Sequence, residues 1–288
     1  MSIPNLTLIG EAINDSVPGT HQFFELNDMA GLRALAVSQD VAGAAYIDVN
    51  VGPRSGAYLS EMVRHVQSVT AKPLSIDTPD PGMAEAGLMA YDPDRAGGCM
   101  PILNSISPLR MEMFQLTRIM PFMPILLASE RMENGIGKPN HTARDVYQTA
   151  RQLVEEADRH GIPVEQCIID PAISPIGADS EGRFHCLMGA IRLIHADPDL
   201  KGVHMSVGLS NFSVMLPPKR ADGSPTKGPL ESAFLTLAMP LGMDHVIGSV
   251  KRNYQLLAPD HPAMLCLNDC LQLEGFDVIM RVQEYYAD

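Results

Sequence analysis

The sequence predicts an α/β protein that folds as a single (β/α)8 TIM barrel, and three observations support this prediction. Eight short apolar runs alternate with longer segments of helical spacing, which is the pattern of parallel strands connected by helices. Most of the runs are apolar at every position, as expected for strands covered on both faces. A length of 288 residues suits one such barrel, and eight repeats favour a closed barrel over an open doubly wound sheet.

The predicted strands and helices follow one another along the chain. The predicted strands are Leu6–Ile13, Ala44–Val51, Pro73–Thr78, Pro101–Ile106, Pro124–Ser129, Cys167–Ile173, His204–Ser210 and His245–Val250. The predicted helices are Leu26–Val41, Tyr58–Thr70, Gly82–Tyr91, Pro108–Met120, Thr142–His160, Gly182–His195, Leu230–Met239 and Phe276–Tyr286. The clearest is Thr142–His160, in which one stripe is apolar, Thr142 suits the N-cap and Gly161 suits the stop.

The predicted domain organisation is one barrel over residues 1–288. No shift in composition marks a linker, and no segment has low complexity. The part of the chain from about Pro262 onward is expected to supply helices that close the barrel.

Composition and charge exclude several classes of partner. A net charge of −13 argues against nucleic acid and anionic membranes, because phosphate binding needs concentrated Lys and Arg. No apolar stretch approaches the roughly 20 residues that span a bilayer, and the N-terminus lacks a basic region followed by an apolar one. The five cysteines are scattered, which suits reduced thiols in the cytoplasm. Cys266 and Cys270 have no accompanying metal-ligand cluster, so we expect no bound metal.

Polar residues follow the predicted strands at their C-terminal ends, where (β/α)8 barrels bind their ligands. This rule collects a set rich in Asp and Asn and poor in Lys, Arg and His. Its members are Glu11, Asn14, Asp48, Asn50, Asp77, Asn104, Ser129, Asp170, Ser210 and Asn211. Carboxylate and amide oxygens accept hydrogen bonds, so the set predicts a site for a neutral heterocycle with several N–H and amino donors.

Six short motifs resemble those of the pterin-binding methyltransferases, which move a methyl group between tetrahydrofolate and a corrinoid protein. They are IGEAIN (Ile9–Asn14), IDVN (Ile47–Asn50), SIDT (Ser75–Thr78), ILNS (Ile102–Ser105), IIDP (Ile168–Pro171) and GLSN (Gly208–Asn211). Each motif is weak alone, but six in the family's order and at barrel-like intervals form a specific signal. The resemblance implies a pterin-binding (β/α)8 barrel, in agreement with the fold predicted from the residue pattern.

The resemblance also implies roles for individual residues. Asp77, Asn104 and Asp170 match positions that hydrogen-bond the pterin edge, and Asn211 matches a catalytic amide near the methyl-bearing nitrogen of the folate. A preorganised amide oxygen there favours the more positive transition state. The other residues expected to contact the pterin or folate are Ser210, Asp48, Asn50, Glu11 and Asn14.

The implied partners are tetrahydrofolate or methyltetrahydrofolate as substrate and a corrinoid held by a separate protein, because this chain lacks a D-x-H-x-x-G corrinoid motif. Cobalt(I) is itself the nucleophile in such a transfer, so the protein contributes binding, orientation and electrostatics. The residues leave the direction of methyl transfer open. A homodimer is also expected.

Two alternatives remain open at the level of sequence. A dihydropteroate synthase uses the same barrel, but it should carry a Lys at the seventh strand end, where this chain has GLSN. A non-catalytic pterin- or folate-binding module would keep the same pterin contacts. Asp77 and Asp170, each taken alone, suit a helix N-cap or a turn as well as a ligand contact. The segment Glu130–Pro139 resembles the family's mobile loop, with Gly135 and Gly137 suited to a hinge.

Overall fold

The computed structural model describes residues 3–287 and contains an eight-stranded parallel sheet that curls into a barrel. Its strands are β1 (Thr7–Asn14), β2 (Tyr46–Asn50), β3 (Leu74–Asp77), β4 (Ile102–Ile106), β5 (Met123–Leu127), β8 (Ile168–Asp170), β9 (His204–Met205) and β10 (His245–Gly248). Two further strands, β6 (Glu130–Glu133) and β7 (Ile136–Pro139), form a separate antiparallel hairpin. The order around the sheet is β10-β1-β2-β3-β4-β5-β8-β9, which confirms the predicted barrel.

Ten α-helices lie in the described part of the chain, and most of them connect the strands. They are α1 (Pro18–Glu25), α2 (Met29–Val41), α3 (Gly56–Gln67), α4 (Pro81–Ala90), α5 (Ala143–Arg159), α6 (Arg183–Ala196), α7 (Ser210–Ser213), α8 (Lys227–Ala238), α9 (Pro262–Cys270) and α10 (Phe276–Ala287). The α5 helix begins with a capping box between Thr142 and Asp145, as its sequence predicts for Thr142. None of the described helices is both long and apolar enough to span a membrane.

The barrel closes between β9 and β10 by a short set of backbone contacts. Gly208 and Ile247 form an isolated parallel bridge. The Ile247 N–H donates to the Val207 carbonyl at 3.0 Å, and the Leu209 N–H donates to the Ile247 carbonyl at 2.8 Å. On its other side, β10 pairs with β1 over four consecutive residues, so the contact with β9 is the sparser of the two contacts that β10 makes.

Side chains along each strand point alternately into the barrel and out toward the helices, and this divides the core into two parts. In β2, Ile47 and Val49 belong to the large cluster packed between strands and helices, so Tyr46 and Asp48 point into the barrel. A second, smaller cluster fills the barrel interior. It consists of Ile9, Ile102, Ile125 and Ile168, with Tyr46, Met123 and Ile247 packed against it.

Several predicted elements differ from the structure. The predicted helix Leu26–Val41 begins at Met29, because Leu26 ends α1, a helix that the sequence pattern did not predict. The predicted helix Pro108–Met120 is a 3-10 helix over Met111–Arg118. The predicted strand His204–Ser210 is paired as a strand only over His204–Met205, and Ser210 already belongs to α7.

The fourth difference is the segment Glu130–Pro139, which forms the β6–β7 hairpin. Its two loop residues, Asn134 and Gly135, have φ values of 53° and 77°. This Asn-Gly pair is the preferred sequence of a type I′ turn, whose twist matches that of the two flanking strands.

Candidate active site at the barrel mouth

In several strands an apolar residue that points into the barrel is followed, two positions later, by a polar residue that points the same way. Ile9 is followed by Glu11, Tyr46 by Asp48, Ile102 by Asn104 and Ile168 by Asp170. Side chains two residues apart point to the same side of a strand. This change therefore places a polar layer directly above the small apolar cluster of the barrel interior, here called the apolar plug. The register sets Asp77 directly beside Asn104, and Asp170 beside Leu127, the last residue of β5.

A cavity of about 300 Å³ opens above the apolar plug at the C-terminal ends of the strands, here called the barrel mouth. Seven of the nine predicted pterin and folate contacts line it. These seven are Glu11, Asn14, Asp48, Asp77, Asn104, Asp170 and Asn211. The remaining two, Asn50 and Ser210, lie directly behind the lining and hydrogen-bond Asp77 and Glu11 respectively.

Asp48 and Asp77 form a coupled carboxyl pair on the floor of the cavity. Burial raises the pKa of Asp48 well above its usual value, and the neighbouring charge of Asp77 raises it further. Burial also raises the pKa of Asp77, against the hydrogen bond from Asn50 and the charge of Arg110. The Asn50 amide nitrogen donates to Asp77 at 2.8 Å. Burial thus favours the neutral form of Asp48 more strongly than that of Asp77, which also accepts the Asn50 hydrogen bond.

Asp170 supplies a second acceptor across the cavity. Its carboxylate accepts a hydrogen bond from the Ala172 N–H at 2.8 Å, and burial raises its pKa to about 6. The carboxylate is thus mostly ionised at neutral pH, with its remaining oxygen available to a ligand.

Asn211 stands on the first turn of α7 and is exposed at the rim of the mouth. The prediction that Asn211 ends a strand is wrong, because the last bridge of the sheet in this segment is at Gly208 and Asn211 already belongs to α7. The Asn211 side-chain nitrogen lies 3.0 Å from the position that a Cβ on Gly208 would occupy. Glycine at position 208 therefore lets the amide fold back over the cavity.

Two buried carboxylates hold α7 against the barrel wall. The Ser210 hydroxyl donates to Glu11, and the Ser213 hydroxyl donates to Glu231 on α8. Burial raises the pKa of both glutamates, and the charge of Arg252 opposes the rise in each case. The Arg252 Nε lies 3.2 Å from the fully buried Glu231 carboxylate. Asn211 lies between these two serine contacts, so its backbone is fixed on both sides.

Sequence reasoning missed Arg110 near the mouth. The Arg110 guanidinium donates to the Ser105 carbonyl at 2.8 Å and to the Ser105 hydroxyl at 3.0 Å, and its charge lowers the pKa of Asp77. Ser105 itself lines the cavity. The signal was available, since Arg110 follows the ILNS motif by a few residues, but its backbone belongs to an irregular connection whose path the pattern does not define.

The predicted site residue Ser129 lies outside this cavity and lines a neighbouring one. That cavity, of about 370 Å³, is also lined by Lys138, Arg183 and Ala172. Ala172 contributes to both cavities, so they are adjacent.

A model of the family described as "Pterin binding enzyme" matches residues 15–248, which include most of the barrel and most of the residues of the mouth. The chain belongs to the pterin binding enzyme family. A methylcorrinoid:tetrahydrofolate methyltransferase of Eubacterium limosum is 29% identical over 249 residues, which cover 84% of this chain and 84% of that one. These two findings confirm the resemblance to the pterin-binding methyltransferases that the six sequence motifs predicted.

Solved structures of pterin binding enzymes share the fold. The dihydropteroate synthase of Burkholderia cenocepacia has a TM-score of 0.58 at 18% identity and covers 93% of this chain and 92% of its own. That of Vibrio fischeri ES114 has a TM-score of 0.59 at 14% identity and covers 99% of this chain and 94% of its own. At this identity the likeness establishes the barrel and leaves the reaction to be argued from the site.

Proposed function

We propose that this pterin binding enzyme is a methyltransferase that moves a methyl group between tetrahydrofolate and the cobalt of a separate corrinoid protein. The observation that carries the proposal is the donor and acceptor pattern of the mouth, which places Asp77, Asn104 and Asp170 around one cavity with Asn211 at its rim. The 29% identical relative, whose name describes this reaction, supports it.

The floor of the cavity complements the edge of a pterin. A pterin presents an amino group, a ring N–H and a carbonyl side by side. Asp77 and Asp170 supply acceptors for the two donors, and the Asn104 amide both donates and accepts. The raised pKa of Asp48 favours its neutral form, which lowers the negative charge that the floor of the cavity presents to a neutral ring. The cavity volume of about 300 Å³ lies at the lower end of ordinary ligand sites.

Asn211 acts at the nitrogen that gains or loses the methyl group. We propose transfer from methylcorrinoid to tetrahydrofolate, the direction in the name of the relative. In this direction the folate nitrogen that accepts the methyl group, N5, is the nucleophile in place of cobalt(I). Its lone pair forms the new bond to carbon, and the cobalt–carbon electron pair stays with the cobalt that the corrinoid supplies. N5 becomes positively charged before it releases its proton to solvent. The Asn211 amide oxygen stabilises that charge, and the fixed α7 backbone keeps the oxygen preorganised.

The rim beside Asn211 suits docking of a protein that carries the corrinoid. Val214 and Met215 follow α7 and are 55% and 66% exposed, although both are apolar. Exposed apolar side chains next to a ligand site are typical of interaction surfaces. The neighbouring cavity with Lys138 and Arg183 supplies positive charge for the glutamate tail of the folate.

The residues of the mouth argue against dihydropteroate synthase activity. That reaction expels diphosphate and calls for cationic side chains at the site, but none of the residues that line the mouth cavity within the described chain is Lys, Arg or His. A dihydropteroate synthase assay of the purified protein with the pterin diphosphate and 4-aminobenzoate should therefore give no product.

The decisive experiment mixes the protein with tetrahydrofolate and a methylated corrinoid protein and follows the cobalt absorption spectrum. We expect the methyl–cobalt band to disappear only when both substrates and this protein are present. Asp77→Asn serves as a matched control. Asparagine keeps the size and shape of the Asp77 side chain but is a weaker hydrogen-bond acceptor for the pterin N–H. Tight folate binding without any spectral change in either direction would leave only a binding module.

A further inference from the structure

Two histidines and an aspartate converge at the end of the barrel opposite the mouth. His204 is the first residue of β9, His245 is the first residue of β10, and Asp244 immediately precedes it. Strand positions are among the most rigid in a barrel, so the convergence is built into the fold. The proposed methyl transfer uses none of these residues.

The geometry of this His204–Asp244–His245 cluster is compact. The two oxygens of the Asp244 carboxylate each contact one imidazole. One oxygen lies 2.6 Å from His204 Nδ1, and the other lies 2.8 Å from His245 Nδ1. The two imidazole centroids lie 4.6 Å apart. One nitrogen or oxygen atom from each of the three side chains lies within 4.8 Å of the others.

Two nitrogens and a carboxylate oxygen form the donor set of many zinc sites. Tetrahedral Zn²⁺ with ligands at about 2.0–2.2 Å separates its ligand atoms by about 3.3–3.6 Å. The His204–Asp244 and His245–Asp244 contacts of 2.6 and 2.8 Å therefore need to lengthen by about 1 Å or less. The cluster borders a cavity of about 530 Å³, whose wall includes His204, Asp244 and His195. The cavity gives a metal ion a route from solvent and space for a fourth ligand, either water or the third imidazole.

We propose that His204, Asp244 and His245 bind a Zn²⁺ ion that ties the start of β9 to the start of β10. These are the two strands that close the barrel, and they share only a short set of backbone contacts. A metal ion across them adds a link to this short set of contacts. This role is structural, lies apart from the methyl-transfer site and was not expected from the sequence.

The test uses protein without a histidine tag, treated with a chelator and returned to buffer, titrated with Zn²⁺, Co²⁺ or Mg²⁺. We expect one Zn²⁺ to bind per chain, a visible Co²⁺ absorption band of tetrahedral type and no response to Mg²⁺. At Zn²⁺ a hundredfold above the Kd, the Tm should rise by about 4 °C for a chain of this length.

The variant His204→Gln removes one ligand at a side chain that is 29% exposed, so the fold should survive. We expect at least a tenfold loss of Zn²⁺ affinity and loss of the Co²⁺ band. His65→Gln is the matched control, because His65 also pairs with a carboxylate, Glu61 at 3.2 Å, but lies on α3 away from the cluster. Each Tm shift is measured from the metal-free Tm of the same variant.

The outcomes separate the proposal from a plain ion-pair cluster. If the unaltered protein shows no Zn²⁺-dependent Tm shift and no Co²⁺ band, the three side chains form only hydrogen bonds and ion pairs with one another, and the proposal is wrong. Equal Zn²⁺ affinity in His204→Gln and the unaltered protein would also overturn it.

Discussion

Asp170→Asn should make the protein more stable at neutral pH while it weakens pterin binding. Burial raises the pKa of Asp170 from 3.8 to about 6, so ionising this carboxyl costs the folded state free energy. Each tenfold change in proton affinity corresponds to about 1.4 kcal/mol, which gives a cost of up to about 3 kcal/mol above pH 6. Asparagine keeps the acceptor for the Ala172 N–H, which lies 2.8 Å from the Asp170 oxygen, but carries no charge.

The sign of the effect follows from the raised pKa. The folded protein binds the Asp170 proton more tightly than the unfolded chain does, so the unaltered protein loses stability as the pH rises from about 4 to 6. The stability advantage of Asp170→Asn should therefore be small near pH 4 and reach its full size by pH 7.5. Urea unfolding of both proteins across this range measures the difference.

Asp145→Asn provides a control of opposite sign. The hydrogen bond with Thr142 in the capping box of α5 lowers the pKa of Asp145, so its contribution to stability is present at neutral pH and is lost as the pH falls below its usual value. This variant should be the less stable one at pH 7.5. If Asp170→Asn is destabilising at pH 7.5, or its effect does not change with pH, the assignment of Asp170 as a buried, costly carboxylate is wrong.

Three further predictions concern α7 and its surroundings. Asn211→Ala should slow methyl transfer more than tenfold, a loss above about 1.4 kcal/mol, and leave the urea midpoint unchanged because the side chain is exposed; an unaltered rate would remove Asn211 from the mechanism. Ser213→Ala should lower the free energy of unfolding by about 1–3 kcal/mol, since it removes the donor to the buried Glu231 carboxylate, and a change near zero would contradict this. Phe234→Ala should cost about 3–5 kcal/mol, because this fully buried ring packs 5.4 Å from that of Phe212, and calorimetry showing a Tm shift below a few degrees would count against tight packing there.

The sequence pattern predicted the eight barrel strands because each is a short apolar run covered on both faces. It failed where that signal was weak. The α1 helix has only eight residues and begins at Pro18 without a side-chain cap, so it shows little periodicity. In β9, the regular ladder covers only His204–Met205, and the sheet continues as a single bridge at Gly208 before the chain enters α7 at Ser210.

The candidate site was predictable to the extent that it follows strand ends. Asp48, Asn104 and Asp170 lie two residues beyond apolar inward-facing positions, which is a local pattern that a sequence displays. The contact between Ser213 and Glu231 depends on how α7 and α8 pack, and no local pattern encodes it. Arg110 was missed for the same reason, because it reaches the floor of the mouth from an irregular connection.

The sparse closure between β9 and β10 has a consequence for motion at the mouth. Local opening costs least where few hydrogen bonds must break, and the closure depends on a small set that includes the bonds of Val207, Leu209 and Ile247. We expect the amide hydrogens of Leu209 and Ile247 to exchange with solvent faster than those along β1 and β2. Such opening would let the segment that carries Asn211 move away from the cavity while the remaining strands stay paired, so that a bulky substrate can enter and leave without global unfolding.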